Sequence, residues 1–389
     1  MAVSERVKNS ITQSSWIRKM FEEGARLKAQ FGEDNVFDFS LGNPDLDPPP
    51  QFFDKLNELV KTSTMGKHGY MPNAGFPHVR ESIAQKVKSD HGIEIDSNSI
   101  IMTCGAAGGL NTLLKTILNP GDEVIVPKPY FTEYRSYIEN HSGELVLVNT
   151  NDDFSLNLNS IEKAINKKTK AIIINTPNNP TGKVYKSDEI QKLAELLNSK
   201  NNGEIYLISD EPYREIIYDD TPLPSILKLY PQSILVYSYS KTLSIPGERI
   251  GYIAVNPYCK EFDLLMSGLI LCNRILGFVN APALMQRVVA SLNDVTVNID
   301  PYRRRRDIFI EGLTGAGYEF VKPDGAFYIF CKSPIEDDIK FAQHLKKYNV
   351  LVVPGSGFGG PGYFRIAFCV SENIIKRSIP KFNEALESL

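Results

Sequence analysis

The chain has 389 residues, 42% hydrophobic and 23% charged, enough to bury a large core and form one large domain with a smaller one. A net charge of -3 and a pI near 6.1 exclude the basic field that nucleic acid or an acidic membrane surface requires, so a small-molecule partner is expected. The five cysteines (Cys104, Cys259, Cys272, Cys331 and Cys369) are scattered and never in C-x-x-C, so neither a disulfide framework nor a metal site is expected and a reducing cytoplasm fits. The N-terminus lacks an apolar export core, and Leu264 to Leu276 is interrupted by Arg274 and too short to span a bilayer, so no membrane insertion is expected.

In chain order, the apolar spacing of Val7, Ile11, Trp16, Met20, Phe21, Ala25 and Leu27 predicts a helix within Ser4 to Phe31. FDFSLGNPDLDPPP then reads as a short strand entering a Pro-rich loop, with Gly42 at the corner, where it serves either a plain turn or a close approach to a ligand. Helical spacing returns over Phe52 to Thr62 and Val79 to Val87, and Tyr70 lies in the loop between them as an exposed ring. From Ser99 the chain alternates helical stretches with seven β-rich runs: SIIMT, EVIVP, ELVLVN, AIIIN, IYLIS, SILVY and IGYIAV. That alternation predicts an α/β fold around a mainly parallel sheet covered on both faces, with ligands beyond the carboxyl ends of the strands.

The strand ends are therefore read together. The first gives Gly105-Ala106-Ala107-Gly108 opening a helix Leu110 to Leu118, a natural cradle for phosphate. The second gives Pro129-Tyr130-Phe131, rings that serve either packing or stacking on a ligand. The fourth gives Asn175 to Gly182, a Pro-stiffened turn whose amides can be aimed. The fifth places the Asp210 carboxylate after an apolar run, where it needs a donor, with the Tyr213 phenol three residues on. After the sixth run stand Ser238, Ser240, Lys241 and Arg249. A lysine in a partly apolar pocket beside another cation has its ammonium form disfavoured and can condense with a carbonyl. An arginine fork and two hydroxyls suit phosphate, so the group together suggests a phosphorylated aldehyde. In isolation the same residues also read as a solvated surface loop.

The combination decides between them. N-P-T-G at 179–182, D-E-P-Y at 210–213, and S-x-S-K with an arginine eight residues beyond the lysine resemble, in order and spacing, the class I and II aminotransferases, fold type I pyridoxal phosphate enzymes, over nearly the whole chain. The resemblance implies a large pyridoxal-phosphate domain at 48–293 and a small α+β domain from 1–47 and 294–389. It implies that Lys241 carries pyridoxal 5'-phosphate as an internal aldimine and shuttles the substrate proton, and that Asp210 pairs with the pyridine nitrogen. Asn179 and Tyr213 would bond the ring oxygen and Phe131 would stack on the ring. Gly105, Ala106, Ala107, Ser238, Ser240 and Arg249 would hold the phosphate. Tyr70 would reach the phosphate of the other subunit, which implies a homodimer with composite sites. Arg365 would bind the substrate α-carboxylate, with Gly42 and Asn179 beside it.

The implied reaction moves an amino group between an L-α-amino acid and a 2-oxo acid by a ping-pong mechanism; the rival on the same fold is a β-eliminating C–S lyase. A cofactor-sensing regulator is disfavoured because residues before Phe37 do not supply a DNA-binding module. Where some aspartate-specific relatives carry a lysine in the phosphate turn, this chain reads Gly-Ala-Ala-Gly, which points to neutral or aromatic donors over aspartate unless Arg274 or Arg303 substitutes. The four arginines at 303–306 fall on one helix and point around its whole circumference, so one or two packing contacts on a solvated face are expected, not nucleic acid. G-x-G-x-x-G at 355–360 precedes a strand and so fails as a dinucleotide motif. The segment Lys322 to Phe330 is expected to close over the site.

Overall fold

Runs of Ile, Val and Leu that are buried on both faces build the centre of the computed structural model, which describes residues 2–5, 7–8, 16–62, 66–200 and 203–389. All seven expected runs pair in one sheet: β2 (Ile100–Thr103), β3 (Glu123–Lys128), β4 (Glu144–Asn149), β5 (Thr169–Asn175), β6 (Tyr206–Asp210), β7 (Ser233–Ser238) and β8 (Gly251–Val255), in the order β2-β8-β7-β6-β5-β3-β4. Only β8 runs against its neighbours. Alternate residues of each strand feed opposite cores: Ile172, Ile174, Leu207 and Leu235 lie in one, and Ile173, Ile208, Ile234 and Val236 in the other. That two-sided burial is what makes the strands read as continuous apolar runs rather than alternating ones.

A second, three-stranded antiparallel sheet has the order β11 (Val353–Pro354), β12 (Tyr363–Ala367), β9 (Tyr328–Lys332), and the short β1 (Phe37–Asp38) pairs in parallel with β10 (Val350–Leu351). Its core is largely aromatic, with Phe39, Phe309 and Phe382 in mutual contact. The segment before β9 is stitched to the large sheet's loops: the amides of Asp324 and Gly325 both donate to Gly182 O at 2.9 Å, and Ala326 N donates to Ile216 O at 2.9 Å. The two sheets thus share one seam.

Several sequence expectations shift in detail. The first described long helix runs Trp16–Phe31, and Ile11 of its expected pattern lies outside the described residues. The helix expected from Leu110 begins at Gly105, so the small-residue turn is its first turn. Gly355–Phe358 is a short 3₁₀ turn leading to β12. Along the arginine run, Arg305 and Arg306 point inward and pair with Asp45 and Asp219, whereas Arg303 and Arg304 pair at the surface with Asp300 and Glu372. No described helix is long and apolar enough to cross a membrane, and all five cysteines are unpaired.

Candidate active site

The carboxyl ends of β5, β6 and β7 open into a cavity of about 350 Å³. Parallel register sets Asn175, the last residue of β5, beside Asp210, the last of β6. The Asp210 carboxylate is buried; its Oδ2 accepts the Tyr134 hydroxyl at 2.5 Å, and its Oδ1 meets no donor of this chain. Burial pushes this carboxyl up to about 7, and the Tyr134 hydrogen bond works against that rise. Asn175 braces the site from beside it: its Nδ2 donates to Asp210 O at 2.8 Å and its Oδ1 accepts Asn179 N at 2.7 Å.

Ser238 ends β7, and the single helical turn Tyr239–Thr242 brings Lys241 into the cavity. Lys241 Nζ donates to Gly42 O at 2.8 Å and lies 5.6 Å from the Phe327 ring centre. Burial draws its amine down to about 8, with Arg365 and Arg249 pressing in the same direction. About a tenth is therefore the free amine at pH 7, against well under a hundredth for an ordinary lysine.

At one end of the cavity, donors gather around a place for an anion. Ala106 and Ala107 line it from the first turn of the helix Gly105–Ile117, which no side chain caps. Ser238 Oγ and Ser240 Oγ lie 2.8 Å apart, and Arg249, whose Nη1 donates to Pro246 O, completes the group. Gly105 does not itself line the cavity, contrary to its expected place among the ligand contacts. It takes φ +68°, and a Cβ there would stand 2.8 Å from Arg249 Nη2, so the glycine makes room for the guanidinium.

At the other end Arg365 is fully buried. Its Nη1 donates to Asn179 Oδ1 at 2.9 Å and its Nη2 to Ser40 O at 2.6 Å, while its Nε has no partner. The guanidinium lies 4.6 Å from the ring centres of both Tyr328 and Phe358. Tyr213 and Tyr328 share a hydrogen bond of 2.8 Å between their hydroxyls. Gly42 must lack a side chain, because a Cβ would fall 2.0 Å from the Tyr328 hydroxyl.

The structure thus brings Gly42, Ala106, Ala107, Phe131, Asn179, Asp210, Tyr213, Ser238, Ser240, Lys241, Arg249 and Arg365 around one cavity. Tyr70 lies outside it, 94% exposed. Arg274 and Arg303 are not among the lining residues. Sequence reasoning overlooked Tyr134, Tyr137, Tyr328 and the bracing role of Asn175. The signal for the first was its spacing three residues after Phe131 at the start of the helix Glu133–Glu139, which puts both rings in edge contact, 5.5 Å between centres.

Comparison with known proteins decides the family. Residues 34–381 match the family described as aminotransferase class I and II. The chain belongs to that family. A probable aspartate aminotransferase of Methanocaldococcus jannaschii is 33% identical over 395 residues, covering 99% of this chain and 100% of that protein. An aminotransferase of Eubacterium rectale superposes with a TM-score of 0.96 at 38% identity, covering 100% and 99% of the two chains. The aspartate aminotransferase of Thermus thermophilus, solved with maleate, superposes with a TM-score of 0.88 at 28% identity, covering 98% and 99%. The protein is accordingly a pyridoxal-phosphate-dependent transaminase. The cavity suits that cofactor on its own terms: Asp210 Oδ1 is a buried acceptor without a donor, and the uncapped helix start, paired serines and Arg249 form a phosphate-sized cluster of donors.

A stability prediction follows for this aminotransferase without its cofactor. Asp210 rises from 3.8 to about 7 on folding, so its ionisation costs stability progressively as pH climbs between those values, and the full cost applies above them. Asp210→Asn removes that cost. The cofactor-free variant should melt above the wild-type chain at about pH 8, by on the order of a few kcal/mol, and the gap should close towards about pH 4. Calorimetry across this range checks it; a gap that does not depend on pH contradicts the buried-charge account.

Proposed function

We propose that this aminotransferase moves the amino group of an L-α-amino acid to a 2-oxo acid in two half-reactions, with Lys241 and Asp210 as its central groups. The observation that carries this reading is the placement, in a single cavity that two guanidinium groups also line, of one amine whose burial draws it down to about 8 and one buried carboxylate with an oxygen lacking a donor. When bound, pyridoxal phosphate supplies the electron sink and the carbon that carries the amino group. Ala106, Ala107, Ser238, Ser240 and Arg249 bind its phosphate, Phe131 lies against its ring, and Asn179 and Tyr213 hold the ring oxygen. Asp210 Oδ1 keeps a proton on the ring nitrogen. Lys241 Nζ is the attachment point and the base that takes the substrate α-proton and returns it. Arg365, with Gly42 and Asn179 beside it, orients the substrate carboxylate, and its stacking between Tyr328 and Phe358 prevents it from swinging away.

The unit formed by 1–47 and 294–389 closes over that of 48–293 and excludes water. The protein acts in the cytoplasm as a homodimer in which Tyr70 serves the partner's phosphate. Support for the dimer comes from the exposure of Tyr70 and from an exposed apolar stripe, Leu264, Leu271 and Ile275, along one helix. Although the relatives are named for aspartate, the cations lining this cavity among the described residues are Lys241, Arg249 and Arg365, each already assigned. Neutral or aromatic donors are therefore favoured.

Single-turnover mixing with a panel of amino acids tests the reaction. Neutral and aromatic donors should bleach the cofactor's visible absorbance and release 2-oxo acid without ammonia, and pyruvate or 2-oxoglutarate should restore the absorbance. Pyruvate and ammonia released from cysteine-type substrates, with no bleaching by any donor, would favour a β-eliminating lyase instead.

Mixing inactive Tyr70→Phe and Lys241→Ala chains tests the shared site. Random pairing should recover about a quarter of the wild-type activity, because half of the dimers carry one intact site of two. No recovery on mixing, or an active monomer by sedimentation, rejects it.

A further inference from the structure

Asp210 is held by a group that the reaction scheme does not use. The Tyr134 hydroxyl donates to Asp210 Oδ2 at 2.5 Å, the length of a charge-assisted hydrogen bond, and both side chains are buried. We propose that Tyr134 is the positioning residue of this site: its hydroxyl fixes the Asp210 carboxylate so that Oδ1 alone is presented to the ligand. This rests on the assignment of Asp210 as the partner of the cofactor's ring nitrogen.

Three observations carry it. First, the two oxygens of one carboxylate are treated differently, Oδ2 saturated from the protein side and Oδ1 left without a donor. A carboxylate free to rotate about its Cβ–Cγ bond would lose that distinction. Second, Tyr134 is a committed donor: burial, and then the neighbouring Asp210 charge, push its phenol well above its ordinary value, so the proton stays on the tyrosine. Third, Tyr134 meets Phe131 edge-on, 5.5 Å between ring centres, and Phe131 lines the cavity. One side chain thus sets both the ring wall and the carboxylate. The spacing is dictated by the chain, because both residues flank the start of the helix Glu133–Glu139, whose first turn lies over the end of β6.

The charges around Asp210 leave this role to Tyr134. Its own strand end contributes Glu211, but that carboxylate is tied to Arg214 at 2.7 Å and Ser209 at 2.7 Å. Tyr137 from the same helix and Tyr213 from the following turn are phenols kept neutral chiefly by burial. Lys241 and Arg249 share the cavity, and Lys241 is bonded to Gly42 O. Asn175 holds the Asp210 backbone carbonyl, not its carboxylate.

The test is Tyr134→Phe, which removes one oxygen and keeps the packing. In the holoenzyme, the acid limb of kcat/KM should move up by about one pH unit, so that activity near pH 6 falls roughly tenfold further than activity near pH 9. In the full-length chain stripped of cofactor, the melting difference between wild type and Tyr134→Phe should be flat below about pH 6 and widen above about pH 7, where wild-type Asp210 ionises and the donorless carboxylate of the variant still resists ionisation, and it should be constant with pH in an Asp210→Asn background. A loss of activity equal at every pH, together with a melting offset independent of pH, would make Tyr134 a packing residue and overturn the proposal. The melting series needs no turnover, so it judges Tyr134 even if the transaminase reading fails.

Discussion

The site depends on one costly arrangement, a carboxylate buried at the end of the central strand β6 with only one of its oxygens satisfied from within the chain. A buried carboxylate lacking donors favours its neutral form, and Asp210 is pushed up to about 7 by that burial. The fold tolerates it because the rest of the sheet is conventional, with apolar strands buried on both faces everywhere but at the β4 edge. Local cost is placed where a ligand relieves it. A protonated ring nitrogen at Oδ1 would supply the missing donor, so cofactor binding and the relief of strain in the apoprotein become one event.

From Asp210 a chain of hydrogen bonds crosses the molecule. Its carbonyl holds Asn175, Asn175 holds the Asn179 amide, the Asn179 side chain accepts Arg365, and Arg365 reaches Ser40 O. Lys241 makes a second crossing to Gly42 O. Both paths join the large sheet to the small one through groups proposed to touch substrate or cofactor.

Much of this was legible in the sequence. The inner strands stood out because two-sided burial leaves no polar alternation to confuse them, and the arginine run split because four consecutive residues are spread around a helix and cannot share one face: Arg305 and Arg306 inward, Arg303 and Arg304 outward. The reversed direction of β8 was not legible, since an apolar run carries no sign. Gly105 was read only as part of a phosphate turn, and its positive φ and missing Cβ, which admit Arg249, became visible only in the fold. Tyr134 escaped because an aromatic residue beside Pro-Tyr-Phe reads as packing, and its bond to Asp210 spans 76 positions that only the folded sheet brings together. Tyr70 stands 94% exposed and outside the cavity, so the folded chain does not bring it to its own site.

Lys241, and no other amine of the chain, is proposed to meet the cofactor. Incubation of the purified chain with pyridoxal phosphate, fixation with borohydride, proteolysis and mass spectrometry measure this directly. The account predicts one phosphopyridoxyl group per chain, on the peptide carrying Lys241. Labelling spread over surface lysines, or a single label elsewhere, would contradict it.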